Sequence, residues 1–239
     1  MVWGYQGNRS TTLPLKDSEK YMNLKEYYAA HPELAAKYNN NVHHYTHDML
    51  MKLYLEPGTR YDRESDPIAP PEDHEWPTDF RTTWPTPTYA KIKSLLDMYG
   101  GGGILVVDQA LKDLIESLEP GVHTFRPVKL TTWDAEEFPG QHFILLIGQF
   151  IESFSPQDSD PEAFQSEFST LNNRNRYSSM GGKERCARLA FSRTAFGGAH
   201  LWRERCLRSP NVFFSNELRA AISKAGLKIP PLYRMKEVA

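Results

Sequence analysis

Two cysteines in 239 residues are too few for a disulfide framework. That excludes the small secreted scaffold held by bridges and points to reduced thiols at Cys186 and Cys206. Long apolar runs are also missing. None approaches the roughly 20 residues of a membrane span, and the opening MVWGYQGNRS lacks the apolar core of a signal peptide. These absences lead to the expectation of a soluble, cytoplasmic protein. Strong net charge is absent too: the formal charge of -2 gives no whole-chain signal for nucleic acid or membrane. No Walker loop follows a strand, and no serine has the nucleophile-elbow context.

What charge there is lies unevenly. Asp108 to Glu167 holds twelve acidic against three basic residues, and Arg174 to Arg208 holds nine basic against two acidic. The simplest reading is that the two segments neutralise each other across the fold. Hydrophobic residues make up 40% and aromatics 12%, enough to build a core.

The chain is organised around Ile104 to Leu130. The apolar run Ile104 to Val107 reads as a buried strand that stops at Asp108, a plausible helix cap. Leu111, Leu114, Ile115 and Leu118 then fall on one helical face. Pro120-Gly121 ends that helix, and Val122, Phe125, Val128 and Leu130 mark the next strand. The plan recurs near the C-terminus. Val212 to Phe214 is a strand, Ser215 the cap, Leu218, Ala221, Ile222 and Ala225 the buried stripe, and Gly226 the stop. Two such units suggest two elements packed on one sheet.

Elsewhere, residues 1–15 read as an extended lead-in. Met22 to Tyr38 and Val42 to Leu55 read as helices, and Asp66 to Pro87 as a Pro-rich loop wrapped on a surface through Trp76, Phe80 and Trp84. Thr88 to Tyr99 suggests a short helix, His142 to Phe150 a strand, and Ser155 to Ser169 a loop with a short helix. Cys186 to Phe191 alternates as a half-buried strand. Gly197-Gly198 signals a hairpin from which Leu201 to Leu207 pairs back. Residues 227–233 lead out. The pattern predicts an α+β class: a mixed or antiparallel sheet with two similar strand–helix units, behind an N-terminal helical segment. Residues 1–100 are expected as a helical and Pro-rich segment, and 101–239 as the α+β domain.

Candidate chemistry is thin. His43 and His47 lie four apart, beside His44 and Asp48, so one helix turn could present them to a metal; a metal-dependent hydrolase is the alternative they support. The HExxH glutamate and a third ligand are missing, and the expectation is no metal and no cofactor. Gly100 to Gly103 precede a strand, the wrong order for a phosphate loop. Cys186, with His200 and arginines in the same region, has the neighbours of a thiolate nucleophile, but the alternation places it in the core. Arg174 to Arg208, interleaved with Tyr177, Phe191, Phe196 and Trp202, could instead serve a nucleic-acid-binding module. No motif specifies an enzyme.

Taken together, VVDQALKDLIESLEPGVHTFRPVKL, HFILLIGQF, RLAFSRTAFGGAHLWRE and VFFSNELRAAISKAGL carry a resemblance. The stretch from Gly103 to Leu227 resembles immunity family eleven of bacterial polymorphic-toxin systems, first described from a myxobacterial protein and formerly a domain of unknown function. The shared pattern is "EPG-V-H-x-F-x-P-V", a glycine-containing "H-L-[FW]-R" strand, and "S-x-x-L-x-x-A-x-x-x-A-G-L". Asp108 departs from the commoner Ser, and the ending Pro230-Pro231-Leu232-Tyr233 lacks the usual Gly-aromatic. The resemblance implies an antitoxin that binds and occludes a cognate secreted toxin domain, such as a nuclease, by contact and without catalysis. An acidic surface would complement a nuclease groove. The candidate toxin-binding residues are Asp134, Glu136 and Glu137 in one turn, and Asp158, Asp160 and Glu162 in one loop.

Overall fold

The computed structural model describes residues 1–5, 15–16, 32, 52–53, 55–60, 67–73, 76–82, 94–97, 104–131, 136–169, 174–208 and 211–239. Strands and helices are both present, so the class is α+β. The first of two six-stranded sheets runs in the order β2 (Leu15–Lys16), β3 (Asp79–Thr82), β6 (Thr124–Thr131), β7 (His142–Leu146), β5 (Leu105–Asp108) and β4 (Leu95–Asp97). Only β3 and β6 run parallel. The second runs β11 (Ala190–Ser192), β14 (Leu232–Val238), β1 (Val2–Tyr5), β13 (Val212–Ser215), β12 (Leu201–Glu204) and β8 (Phe150–Ile151). Its two outer pairs are parallel and its three inner pairs antiparallel. A separate two-stranded ribbon joins β9 (Phe164–Ser169) to β10 (Arg174–Ser179).

Local chemistry sets the two strand–helix units. Asp108 accepts a hydrogen bond from the Leu111 N–H at 2.8 Å and so caps α1 (Gln109–Leu118). After the short helices α2 (Lys183–Cys186) and α3 (Arg193–Phe196), Ser215 accepts from the Leu218 N–H at 3.0 Å and caps α4 (Asn216–Lys224). The units do not share one sheet, however. β5 belongs to the first sheet and β13 to the second. Their helices meet instead: Leu111 and Ile115 of α1 lie in one core with Leu218 and Ile222 of α4. That core also takes Leu105, Val107 and Leu145 from the first sheet and Tyr5, Leu201, Val212 and Phe214 from the second.

Alternation along the second sheet sends the intervening residues to its other face. There Trp202, Phe213, Phe191, Phe154, Val2 and Met235 form a second core. Trp202 stacks on Phe196 at 5.0 Å between ring centroids and on Phe213 at 5.7 Å. The second sheet is therefore buried on both sides.

Several expectations are corrected. The run His142 to Phe150 is not one strand: β7 ends at Leu146, and Phe150–Ile151 joins the other sheet. Gly148 makes the crossing possible, because a Cβ there would lie 2.0 Å from the Val122 carbonyl oxygen. In place of a helix over 88–99, Leu95–Asp97 is a strand paired with β5. Its adjacent Leu95 and Leu96 are both buried, one toward each face. Cys186 to Phe191 is not a strand. Cys186 closes α2 and pairing begins only at Ala190, since Leu189, Ala190 and Phe191 are all buried between layers. Gly197-Gly198 makes no hairpin but ends α3, with Gly197 at φ 52°; β12 pairs with β13 and β8. The Pro-rich stretch contains β3, and Ile68, Trp76 and Phe80 are buried. The exit segment from Leu232 is a strand on β1. Most of the two N-terminal helical stretches, Trp84 and residues 100–103 lie outside the described residues; Lys52 and Leu53 are helical.

Gly148→Ala tests the crossing. The added methyl should cost about 2 kcal/mol or more, the range of overpacked interiors, read as a lower urea midpoint. An unchanged midpoint would show that Val122 yields freely.

Candidate functional site

The polar centre of the molecule is Glu119, the residue that ends α1. One carboxylate oxygen, Oε1, accepts from the His200 backbone N–H at 2.7 Å and from Gln149 Nε2 at 2.6 Å. The other, Oε2, accepts from the Leu201 N–H at 3.0 Å and meets His123 Nε2 at 2.8 Å. His123 Nδ1 accepts the Gly148 N–H at 3.2 Å, so the neutral imidazole must carry its proton on Nε2 and donate it to Glu119. Gln149 also donates to the Leu201 carbonyl at 3.0 Å. Burial acts to raise the Glu119 pKa, but the hydrogen bonds from His123, His200 and Gln149 prevail and hold it below its ordinary 4.5.

This knot joins the end of α1, the crossover after β7 and the start of β12. It thus ties the two sheets together. His200 continues outward, its Nδ1 2.9 Å from Ser215 Oγ. Its Nε2 lies 3.9 Å from Glu217, beside a pocket of 380 Å³. This is no nucleophilic triad. Ser215 Oγ is occupied as the α4 cap, and 3.9 Å exceeds a hydrogen bond.

A second buried carboxylate, Glu204, is equally engaged. Its Oε2 accepts from Ser153 N–H at 2.9 Å, Ser153 Oγ at 2.7 Å and Phe154 N–H at 3.1 Å; its Oε1 faces Cys206 N–H at 3.3 Å. Burial pushes its pKa up, against these bonds. Both acids spend their lone pairs inside the protein.

The proposed toxin-facing residues divide between the sheets. Glu136 and Glu137 follow β6 of the first, exposed, with Glu137 3.3 Å from Lys129. Asp134 lies outside the described residues. Asp158, Asp160 and Glu162 lie on two 3₁₀ turns beside the β11 edge of the second sheet. Asp158 accepts from Ser155 Oγ at 2.5 Å. Asp160 accepts from the Glu162 N–H and sits 3.2 Å from Arg188, with Glu162 3.5 Å from the same guanidinium.

The alternatives fare differently. His43, His44, His47 and Asp48 lie outside the described residues; among the described ones no group of three or more His, Cys, Asp or Glu could hold a metal. Four arginines of the basic segment are paired with carboxylates. Arg188 faces Asp160, Arg193 faces Glu237 at 2.8 Å, Arg205 donates to Glu56 at 2.8 Å, and Arg208 faces Glu167 at 3.5 Å. Cys186 is buried, and burial raises its thiol pKa, the reverse of an activated thiolate. Arg205 and Glu56 also line a cavity of 460 Å³ beside Gly148 and Gln149, paired with one another. No helix among the described residues is long and apolar enough to cross a membrane.

In the sequence, Glu119 and His123 stand out only within the EPG-V-H pattern, and His200 within its own pattern and as a neighbour of Cys186. The local signal was present: Glu and His four apart across a helix stop. Comparison with family models then matches residues 26–235 to the immunity protein family Imm11. The chain belongs to the Imm11 immunity family. The match begins well before Gly103, so the Imm11 region takes in β3 and β4 as well as both strand–helix units. No curated protein matches the chain. Glu119 with His123, and His200 with Leu201, lie within the matched residues and meet in the knot.

Glu119→Ala should destabilise by about 3–5 kcal/mol, because it strands buried donors from three segments. Glu119→Gln should cost less at pH 7. The folded-state pKa of Glu119 is lowered, so its contribution is present above the unfolded pKa and is lost as pH falls through the folded one. Urea midpoints from neutral pH to below 4.5 should therefore fall more steeply for wild type than for Glu119→Gln. Equal slopes would mean that Glu119 contributes nothing to acid sensitivity.

Proposed function

We propose that this Imm11 protein acts in the cytoplasm as the antidote to one cognate toxin domain of a polymorphic-toxin system, binding it and covering its active surface without catalysis. The observation that carries this reading is the family match over most of the chain. The disposition of charge supports occlusion over chemistry. Glu119 and Glu204 are consumed by internal hydrogen bonds, while Glu136, Glu137 and Glu162 stand at the surface on turns, where recognition residues are commonly carried.

The toxin we infer is one with a basic groove, a nuclease being the natural case. Carboxylates facing such a groove raise the encounter rate and fix orientation more than they add affinity. The acidic docking set is Asp134, Glu136 and Glu137 together with Asp158, Asp160 and Glu162. Asp158 and Asp160 also hold their own turns, so reversing their charge would disturb the backbone as well as the surface. Glu136, Glu137 and Glu162 are the cleaner positions to change.

Co-expression with the toxin domain encoded beside this gene is the decisive assay. Growth should be restored by this chain, and continued killing with the protein abundant and soluble would end the antidote reading. With purified proteins, Glu136→Lys/Glu137→Lys or Glu162→Lys should slow association several-fold, about the effect of rim charges, and flatten its salt dependence. Unchanged association rates in both would remove the acidic patch while leaving the antidote role in place.

A further inference from the structure

We propose that the sheet face around Trp3 is a contact surface of this protein, which grips a carboxylate-bearing segment of the toxin domain through Arg219, Arg234 and Lys236. The inference rests on the antidote reading above and adds to its acidic turns a surface of the opposite charge.

Strand pairing sets this face. Trp3 stands opposite Phe214 of β13 and Arg234 of β14. Residues directly opposite in an antiparallel pair project to the same side, with Cβ atoms about 5 Å apart. Arg234 and, two residues on, Lys236 therefore share the side of Trp3. The inner part of that side is the core formed with α1 and α4, which Tyr5 and Phe214 enter and against which Leu232 packs. Trp3 packs at the margin of that core and stays half-buried, while Arg234 and Lys236 are exposed. The rest comes from α4. Asn216 Oδ1 accepts from Trp3 Nε1 at 3.4 Å, and the Arg219 guanidinium lies over the indole, 5.7 Å from the ring centroid. The indole is thus held at its edge and on its face by the protein itself.

Charge supplies the chemistry of the occupant. Arg188, Arg193, Arg205 and Arg208 each face a carboxylate. Arg219, Arg234 and Lys236 make no ion pair with any described residue. Residues 216–239 hold five basic and two acidic residues, and both acids turn elsewhere. Glu217 lies 3.9 Å from His200, and Glu237, on the opposite side of the sheet from Lys236, binds Arg193 at 2.8 Å and the Met1 amino group. Like charges gathered around one ring repel, and an anion shared between them removes that cost. Guanidinium groups match a carboxylate through two parallel hydrogen bonds. Scale favours a protein over a nucleic acid. Nucleic acids are held along an extended row of phosphate contacts, whereas three cations about one anchored indole have the size and composition of a protein hot spot, in which Trp and Arg prevail. The immunity family gives the kind of protein, a toxin domain. Opposite charges on separate surfaces also fix how one partner sits, because a single pose must match both.

The test uses the full chain and the purified toxin domain encoded beside its gene. Affinity, melting temperature and oligomeric state are measured for wild type, Arg234→Glu/Lys236→Glu and Arg234→Gln/Lys236→Gln, with Glu136→Lys/Glu137→Lys as the comparison on the other sheet. Expected are an affinity loss of at least about tenfold for the Glu pair, the scale of hot-spot residues, and a smaller loss for the Gln pair. Melting temperatures should stay near wild type, because both side chains are exposed and unpaired. Affinity within about twofold of wild type for the Glu pair would overturn the proposal. So would three results that name another occupant: a lowered melting temperature for the Gln pair, showing that the chain covers this face itself; loss of a dimer, showing that a second copy does; or retardation of duplex DNA by wild type that the Glu pair abolishes while toxin affinity is unchanged. In each of these cases toxin binding by wild type leaves the antidote role standing. Failure of wild type to bind the toxin at all would remove both.

Discussion

Glu119 gathers three pieces of backbone at the point where the chain leaves the first sheet for the second. α1 ends on it, the crossover from the first sheet to the second hangs from it through Gln149 and His123, and β12 begins on it through two successive N–H groups. A buried carboxylate is costly to desolvate, and only a full set of donors offsets that cost. Both oxygens have such a set. All four donors are neutral with His123 as the Nε2–H tautomer, so the acid is stabilised by oriented dipoles and carries a lowered pKa without any guanidinium beside it. The requirement propagates. Gln149 must arrive at the right height, which Gly148 allows by lying against the Val122 carbonyl, and His123 must hold the tautomer that the Gly148 N–H dictates.

With the junction fixed, the second sheet can be buried on both faces. Its centre is β1, residues Val2–Tyr5, paired with β13 on one side and β14 on the other. Val2 enters the aromatic core and Tyr5 the core shared with the helices. A strand of four residues thus completes two cores at once. The distant Val212–Ser215 and Leu232–Val238 cannot pair with each other in this arrangement and depend on it.

These facts explain what could be read from the residues and what could not. The α1 and α4 units were legible because each is fixed by neighbours in sequence: Asp108 and Ser215 cap helices three residues on, and the apolar stripes repeat at helical spacing. The order of the sheets was not legible, because pairing between residues some two hundred apart leaves no local mark. Nothing in VWGY distinguishes a central strand from a lead-in. The misread segments share one physical cause: they are buried from more than one direction. HFILLIGQF is apolar throughout because it serves two sheets in turn, and Leu189 to Phe191 is apolar on successive residues because layers lie on both sides. Periodicity assumes one wet face, and here there was none. The candidate site shows the same split. The acidic turns could be seen because exposed charge is local, whereas the knot needed the meeting of Glu119 with His200, eighty-one residues apart.

The division between buried and exposed charge bears on how an immunity protein can change partners without losing its fold. The carboxylates that hold the structure, Glu119 and Glu204, have every oxygen committed to internal donors, so substitution there is penalised whatever the toxin. Those at the surface, Glu136, Glu137, Glu162 and Glu167, make single solvated pairs or lie on turns, and their replacement costs the fold little. Substitution is thereby free at positions where stability is indifferent. The ribbon follows the same logic on its apolar side: Phe164 and Tyr177 are fixed by the aromatic cluster, whereas Phe168 lies beyond it. A fold whose polar order is concentrated at one internal knot can carry variable residues on its exposed turns, because none of them contributes a donor to that knot.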